Sequence, residues 1–201
     1  DRTEVSARAY AACVAAGACA SPGTGPDATG ASGVLADHPI NYVSWIDADA
    51  YCTWRGARLP TEAEWEHAAR PDGRTYPWGD EAPAANLLNA CGAECSGGSP
   101  SYTDPYVATA PVGSFPDGAS PFGVLDMAGN VWEWVGDWYD PSYYAVSPAV
   151  DPPGPSAGSR RVRRGGSYRS SGASLVRAAI RQYDDPTYRN PRIGFRCASG
   201  M

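Results

Sequence analysis

The 201-residue sequence predicts an irregular α+β domain, with two or three helices followed by twisted antiparallel strands and long ordered loops. Helical patterning and capping signals are confined to the part before Pro71. Beyond Tyr76 only short aromatic or β-branched pieces remain, separated by Pro, Gly and Ser, as in an irregular sheet. The composition agrees: 23 Gly and 19 Pro set many turns, while 12 Tyr and 7 Trp supply a core of large rings.

Taken in order, "DRTEVSARAYAACVAAG" offers Ser6 as the cap of a helix of roughly a dozen residues that stops near Gly17. Residues 20–37 read as a flexible polar loop. A second helix follows Ser44 in "SWIDADAYCTWRG", with Trp45, Ala48, Tyr51, Cys52 and Trp54 on its apolar side and Gly56 as its stop. The third is "LPTEAEWEHAAR", where Thr61 and Glu64 have capping-box spacing and Pro71 closes the segment. Four strand-like pieces come next: "APVGSF", "GNVWEWVGDWY", "RRVRRGGSY" and "IGFRCA". A Pro/Ser/Gly loop fills 141–159. Loops of such length need fixing by something other than secondary structure, and disulfides and metal ions are the obvious means.

The length fits one domain with its own core, read here as 1–201. All sixteen basic residues are arginines. Ten of them face only two acids in 159–201, a balance of +8, whereas 1–158 carries −14. A basic region could grip nucleic acid, but these arginines are dispersed among Gly, Ser and apolar residues, and the net charge of −6 disfavours a polyanion. The two halves are expected to pair internally, Arg forks meeting carboxylates. No apolar run approaches the ~20 residues of a membrane span, and no basic-then-apolar leader is present.

Cysteine usage is informative. Cys13 and Cys19 bracket "VAAGA", Cys91 and Cys95 bracket "GAE", Cys52 lies in the second helix and Cys197 near the carboxyl end. Zinc favours C-x2-C spacings with histidine nearby. Here the spacings differ, and the only histidines are His38 and His67, the latter a helix-surface residue beside Glu66. An even count of six suits three disulfides and an oxidising compartment: secreted, periplasmic or cell-envelope.

Several motifs, in order, carry a specific resemblance: "HPINYVSWIDADAYCTWRGARLPTEAEWEHAAR", "YPWGD", "APVGSFPDGASPFGVLDMAGNVWEWVGDWY", "RVRRGGSY" and "GFRCA". Together they resemble the formylglycine-generating enzyme (sulfatase-modifying factor) family, from about Asp1 to Cys197. The resemblance implies a fold related to C-type lectins, with internal calcium ions. It also implies a Cys52–Cys197 bridge, which leaves Cys13–Cys19 and Cys91–Cys95 to pair locally.

In "DMAGNVWEW", Asp126 and Glu133 supply carboxylates, and on an extended segment Val131 and Glu133 share one face while Trp132 and Trp134 share the other. Carboxylate and carbonyl oxygens suit Ca²⁺. By resemblance, one calcium site uses Asp126, Glu133 and the carbonyls of Gly129 and Val131. The other uses Asn86, the Leu87 carbonyl, Asp104 and the Tyr106 carbonyl. The alternative is a half-buried strand whose acids meet the C-terminal arginines. The tryptophans read as core.

Enzymes of the family oxidise a substrate cysteine with O₂ and copper held by two thiolates. The matching positions, two and seven residues beyond Tyr168, are Ser170 and Leu175. No copper is therefore expected, because soft thiolates are what select Cu(I). A pocket of Ser167, Tyr168, Ser170, Arg177, Arg181 and Arg196 remains conceivable, with the arginines gripping an anion. The favoured reading is that those arginines are internal clamps. Ser167 has no base beside it in sequence and is not expected to be a nucleophile. Family domains usually open with a Gly-rich strand ahead of "D-x-x-E-V", so a cleaved fragment or a neighbouring chain is expected to supply one. The leading functional reading is a module that binds a peptide, protein or small ligand. The alternative is an oxidoreductase, either generating formylglycine or carrying out non-haem iron chemistry, although two histidines in dissimilar settings suit an iron site poorly.

Overall fold

The computed structural model describes residues 1–30, 33–93, 95 and 102–199; the predicted 20–37 loop is therefore described except at positions 31 and 32. Each of three helices starts at the side chain its sequence provides. The first, α1 (Ala7–Ala15), is capped by Ser6, whose hydroxyl accepts the Ala9 N–H, and buries Ala7, Tyr10 and Cys13. Both α2 (Trp45–Trp54) and α3 (Glu62–Ala69) begin with complete capping boxes, Ser44 with Asp47 and Thr61 with Glu64. A box satisfies two N–H groups that helix geometry leaves without partners, and the cap contributes about 1 kcal/mol. The buried face of α2 is narrower than its sequence suggests: Ala48, Tyr51 and Cys52 go inside with Asp47, while Trp45 is half-buried and Trp54 exposed. Asp47 tolerates burial because Ser44 donates to it and Arg189 lies 2.8 Å away.

A short strand β1 (Ala57–Arg58) separates α2 from α3. The main sheet holds β2 (Trp132–Trp138), β3 (Arg161–Arg164), β4 (Gln182–Asp184) and β5 (Ile193–Phe195), in the order β4-β3-β2-β5. A last strand, β6 (Ala198–Ser199), pairs antiparallel with β1. The β2–β3 and β3–β4 pairs are antiparallel, but β5 runs parallel to β2, so the sheet is mixed rather than wholly antiparallel. "APVGSF" is not a strand: the chain turns at Gly113 (φ +79°), whose N–H donates to Asp126 Oδ2 at 2.6 Å.

The central strand β2 is buried on both faces along Trp132–Val135. One face packs with α1, α2 and β5 through Tyr10, Tyr51, Trp134 and Phe195. The other meets α3 through Trp65, Val135 and Val162. The Trp134 indole donates to the Val43 carbonyl at 3.0 Å, so the ring is buried without orphaning its N–H. A register shift between Trp134 and Trp138 sets Arg161 opposite Trp138. Its guanidinium lies 3.7 Å and 3.5 Å from the ring centres of Trp45 and Trp138, a cation held between two rings.

Arginines tie the basic C-terminal part to the acidic remainder. Arg164, fully buried, donates to Glu62 at 2.8 Å and to Glu66 at 2.6 Å. Arg181 grips both oxygens of Glu62 at 2.6 and 2.8 Å. All six cysteines are bridged, as Cys13–Cys19, Cys52–Cys197 and Cys91–Cys95. Among the described residues, no helix is long and apolar enough to cross a membrane.

Candidate functional site

The turn after β3 is built on two consecutive glycines, Gly165 and Gly166, with φ of +92° and +83°. Left-handed backbone is open to glycine without steric cost, so the chain can reverse immediately. The Gly165 carbonyl accepts the Gly129 N–H at 2.9 Å, and the Tyr168 N–H donates to the Asn130 carbonyl at 2.8 Å. This turn is thereby stitched to the segment leading into β2. Ser170 Oγ accepts the Ser167 N–H at 2.9 Å, while the Ser170 N–H donates to the Ser167 carbonyl at 2.8 Å. Ser167, Tyr168 and Ser170 are all buried.

A Cβ placed on Gly166 would lie 2.8 Å from the Leu175 carbonyl and 3.2 Å from Ser170 Oγ. The Leu175 main-chain carbonyl, a Val176 methyl and the Ser170 hydroxyl thus all lie beside Gly166. Beside them, Cys91 forms a parallel bridge with Ser171. The Tyr168 hydroxyl donates to Asp27 Oδ2 at 2.9 Å, and Arg169 lies 3.9 Å from the same carboxylate. Burial, with the hydrogen bond to Asp27, holds the Tyr168 phenol well above its ordinary range.

The three arginines named with this turn do not form one anion grip. Arg196 is buried, with Nε 2.6 Å from Glu133 Oε2 and Nη2 2.7 Å from Oε1. Arg181 is committed to Glu62. Arg177 is exposed and donates to the Ser174 carbonyl at 3.2 Å. Two of the three are internal clamps.

The acids of "DMAGNVWEW" lie in a buried layer that gains a third carboxylate, Glu4. Asp126, Gly129 and Asn130 all adopt left-handed backbone, with φ of +59°, +85° and +54°. Asn130 donates to Glu4 Oε2 at 3.1 Å and accepts the Ala110 N–H at 2.9 Å. Glu133 also accepts the Trp65 indole N–H at 2.8 Å. Burial, then the nearby Asp126 and Glu133 charges, push the Glu4 carboxyl well above the usual range. Burial likewise raises Asp126. Glu4 Oε1 is buried without a hydrogen bond. Three carboxyl groups thus neighbour one guanidinium, and burial favours the protonated form of Glu4 and Asp126. Among the described residues, however, no three His, Cys, Asp or Glu side chains converge on a point that could hold a metal. A cation here would draw mainly on main-chain oxygens such as those of Gly129 and Val131.

The second acidic set is looser. Asn86 is exposed and donates to Asp117 Oδ2 at 3.0 Å. The Leu87 carbonyl lies so close to Gly118 that a Cβ there would overlap it. Asp104 is buried and accepts the N–H groups of Ala90 at 3.2 Å and Tyr106 at 2.8 Å. The histidines stand apart in character: His38 Nδ1 lies 2.9 Å from Thr109 Oγ1, with its pKa lowered by burial, whereas His67 is exposed on α3.

Sequence reasoning missed Glu4, Asn130 and Asp27. Glu4 could have been noticed as an acid directly preceding the apolar Val5. Asn130 follows a glycine and belongs to a residue type enriched in left-handed backbone. Asp27 carried no local signal, because its partner Tyr168 is 141 residues away.

The described geometry coincides with a known domain. The family model for the sulfatase-modifying factor enzyme 1-like domain matches residues 1–201. The chain belongs to that family. A formylglycine-generating enzyme of Streptomyces coelicolor is 46% identical over 174 residues, covering 81% of this chain and 53% of the relative. Hercynine oxygenase of Mycolicibacterium thermoresistibile is 38% identical over 173 residues, covering 81% of this chain and 36% of the relative. The chain therefore spans about half or less of these relatives' lengths. The structure of PvdO from Pseudomonas aeruginosa superposes with a TM-score of 0.76 at 28% identity, over 96% of this chain and 77% of that one. The fold is the sulfatase-modifying-factor form of the α+β arrangement.

Proposed function

We propose that this domain keeps the frame of the sulfatase-modifying factors without copper-thiolate oxidation, and acts by binding a peptide, protein or small-molecule ligand. One observation carries the reading. The positions two and seven residues beyond Tyr168 are Ser170 and Leu175, while every cysteine of the chain is bridged elsewhere. A hydroxyl already engaged by the Ser167 N–H and an aliphatic side chain offer no soft donor, so the residues do not fit Cu(I). Loops held on a rigid frame suit a binding role.

Calcium is the structural ion of this reading. Its support is the cluster of buried acidic side chains at Glu4, Asp126 and Glu133, and the backbone turned left-handed at Asp126 and Gly129. At the second set, the ligands would be Asn86, the Leu87 carbonyl, Asp104 and the Tyr106 carbonyl. Calcium supplies charge compensation and crosslinks loops, and takes no part in chemistry. Three disulfides favour an oxidising compartment outside the cytoplasm.

Metal analysis combined with an activity assay tests the proposal. Purified protein is assayed for Ca, Cu and Fe, then incubated under O₂ with a cysteine-containing sulfatase-type peptide. Calcium without aldehyde formation is the expected result. Copper at near-stoichiometric occupancy with aldehyde overturns it, and iron with peptide-independent oxygen consumption points to oxygenase chemistry instead.

A further inference from the structure

We infer that Cys91–Cys95 is a thiol-exchange site: the bridge that an external thiol opens first, with Cys95 taking the incoming sulfur and Cys91 leaving. The inference rests on access, loop size and placement, and is independent of the binding role proposed above.

Access separates the bridges. Cys13, Cys19, Cys52, Cys91 and Cys197 are buried, and Cys95 is the one cysteine of the six that is not. Exchange needs a thiolate to reach a disulfide sulfur, so solvent access selects the sulfur attacked. In Cys13–Cys19 and Cys52–Cys197 both partners are inside the core that joins α1, α2, β2 and β5.

Loop size points the same way. The sequence separations are 4 for Cys91–Cys95, 6 for Cys13–Cys19 and 145 for Cys52–Cys197. In the chain-entropy model a bridge stabilises the fold less as its loop shortens. Opening this bridge therefore costs the fold the least of the three. The Cys95 N–H closes a turn on the Gly92 carbonyl at 3.2 Å, and the Ala93 N–H donates to the Tyr102 carbonyl at 2.8 Å.

Placement gives the opening a consequence. Cys91 pairs with Ser171, next to Ser170, whose hydroxyl lies beside Gly166. In the exchange, an external thiolate forms a bond to Cys95 Sγ as the Cys91–Cys95 bond breaks. Cys91 leaves as thiolate and takes a proton from solvent. The incoming sulfur is oxidised to the disulfide level and Cys91 is reduced to a thiol, so no further oxidant is required. The product carries a covalently held thiol compound on Cys95 and a free thiol at the Ser170–Ser171 turn. The substrate class is a small thiol, or a protein thiol able to reach Cys95.

The test uses native protein in graded glutathione buffers, with acid quench, alkylation and peptide mass mapping. Expected are a glutathione adduct on Cys95 and alkylation of Cys91, at a thiol concentration about tenfold or more below that which opens either other bridge. Opening of Cys13–Cys19 or Cys52–Cys197 first, an adduct on Cys91 instead, or no opening short of global unfolding would each overturn the inference. A C91S/C95S variant is compared with C13S/C19S by thermal unfolding. The first is expected to lose less stability, and an equal or greater loss counts against the assignment.

Discussion

Arg196 holds both carboxylate oxygens of Glu133, at 2.6 and 2.7 Å, with both side chains buried. The same guanidinium donates to the Leu125 carbonyl at 2.9 Å. It thereby joins the segment just after β5 to the start of β2 and to the loop before it. Removing one partner strands the other charge in the core. Arg196→Ala is expected to cost about 3–5 kcal/mol in denaturant unfolding, while R196L/E133L recovers part of that loss, because neither charge of the pair remains although Trp65 Nε1 and the Leu125 carbonyl lose a partner. Equal losses in the single and double variants would contradict this account.

Asp137 gives a pH signature. Its Oδ2 accepts the Glu62 N–H at 2.6 Å, at the first turn of α3. Burial, opposed by that bond, pushes its carboxyl up to about 6. The folded chain therefore holds this proton more tightly than the unfolded chain, whose Asp titrates near ~3.9. The stabilisation is complete below the unfolded value and is lost as pH rises to about 6, amounting to about 3 kcal/mol at most. Asp137→Asn keeps the acceptor and removes the titration. The stability difference between parent and variant should shift toward the variant between pH 4 and 6 (the window from about 4 to about 6) and be flat above it, as read by urea midpoints.

These two sites illustrate how legible the chain is. The helices were readable because Ser6, Ser44 and the Thr61–Glu64 pair are local signals, and a cap acts within four residues of itself. The C-terminal arginines as internal clamps were readable from charge segregation alone, and Arg164 and Arg196 bear that out. The parallel β2–β5 pair was not readable, because β5 is only three residues long and its partner is some sixty residues away. "APVGSF" looked like a strand for its apolar and β-branched residues, but an acid thirteen positions away, Asp126, holds Gly113 in a turn. At the Gly165–Ser170 turn the sequence named Ser167, Tyr168 and Ser170, yet the stitching of that turn to Gly129 and Asn130 is a tertiary fact.

Chelation tests the proposed calcium. Excess EGTA is expected to lower the midpoint of thermal unfolding by about 5–10 °C, if calcium is present near a hundredfold above its dissociation constant. Added Ca²⁺ should restore the midpoint, and Asp126→Ala should abolish the response. An unchanged melting curve in EGTA would remove the ion from the account.

Gly129 separates backbone strain from crowding. Its φ is +85°, and a Cβ there would overlap the Asn89 carbonyl. Gly17 has a similar φ of +71° with open space around it. Gly17→Ala should cost about 1 kcal/mol from strain alone, whereas Gly129→Ala should cost about 2–4 kcal/mol because the β2 entry must also shift. Comparable losses at both positions would show that the Asn89 contact yields easily.

The Cys52–Cys197 bridge makes most of the molecule a covalent ring, and the 141–159 loop with exposed Val146 and Val150 lies within it. A protease that nicks this loop opens the ring without releasing either piece. The cleaved form should run as one species on a non-reducing gel and as two bands only after reduction. Surface damage at that loop leaves the halves tethered and able to re-dock, so a wound to the main chain need not become loss of the protein.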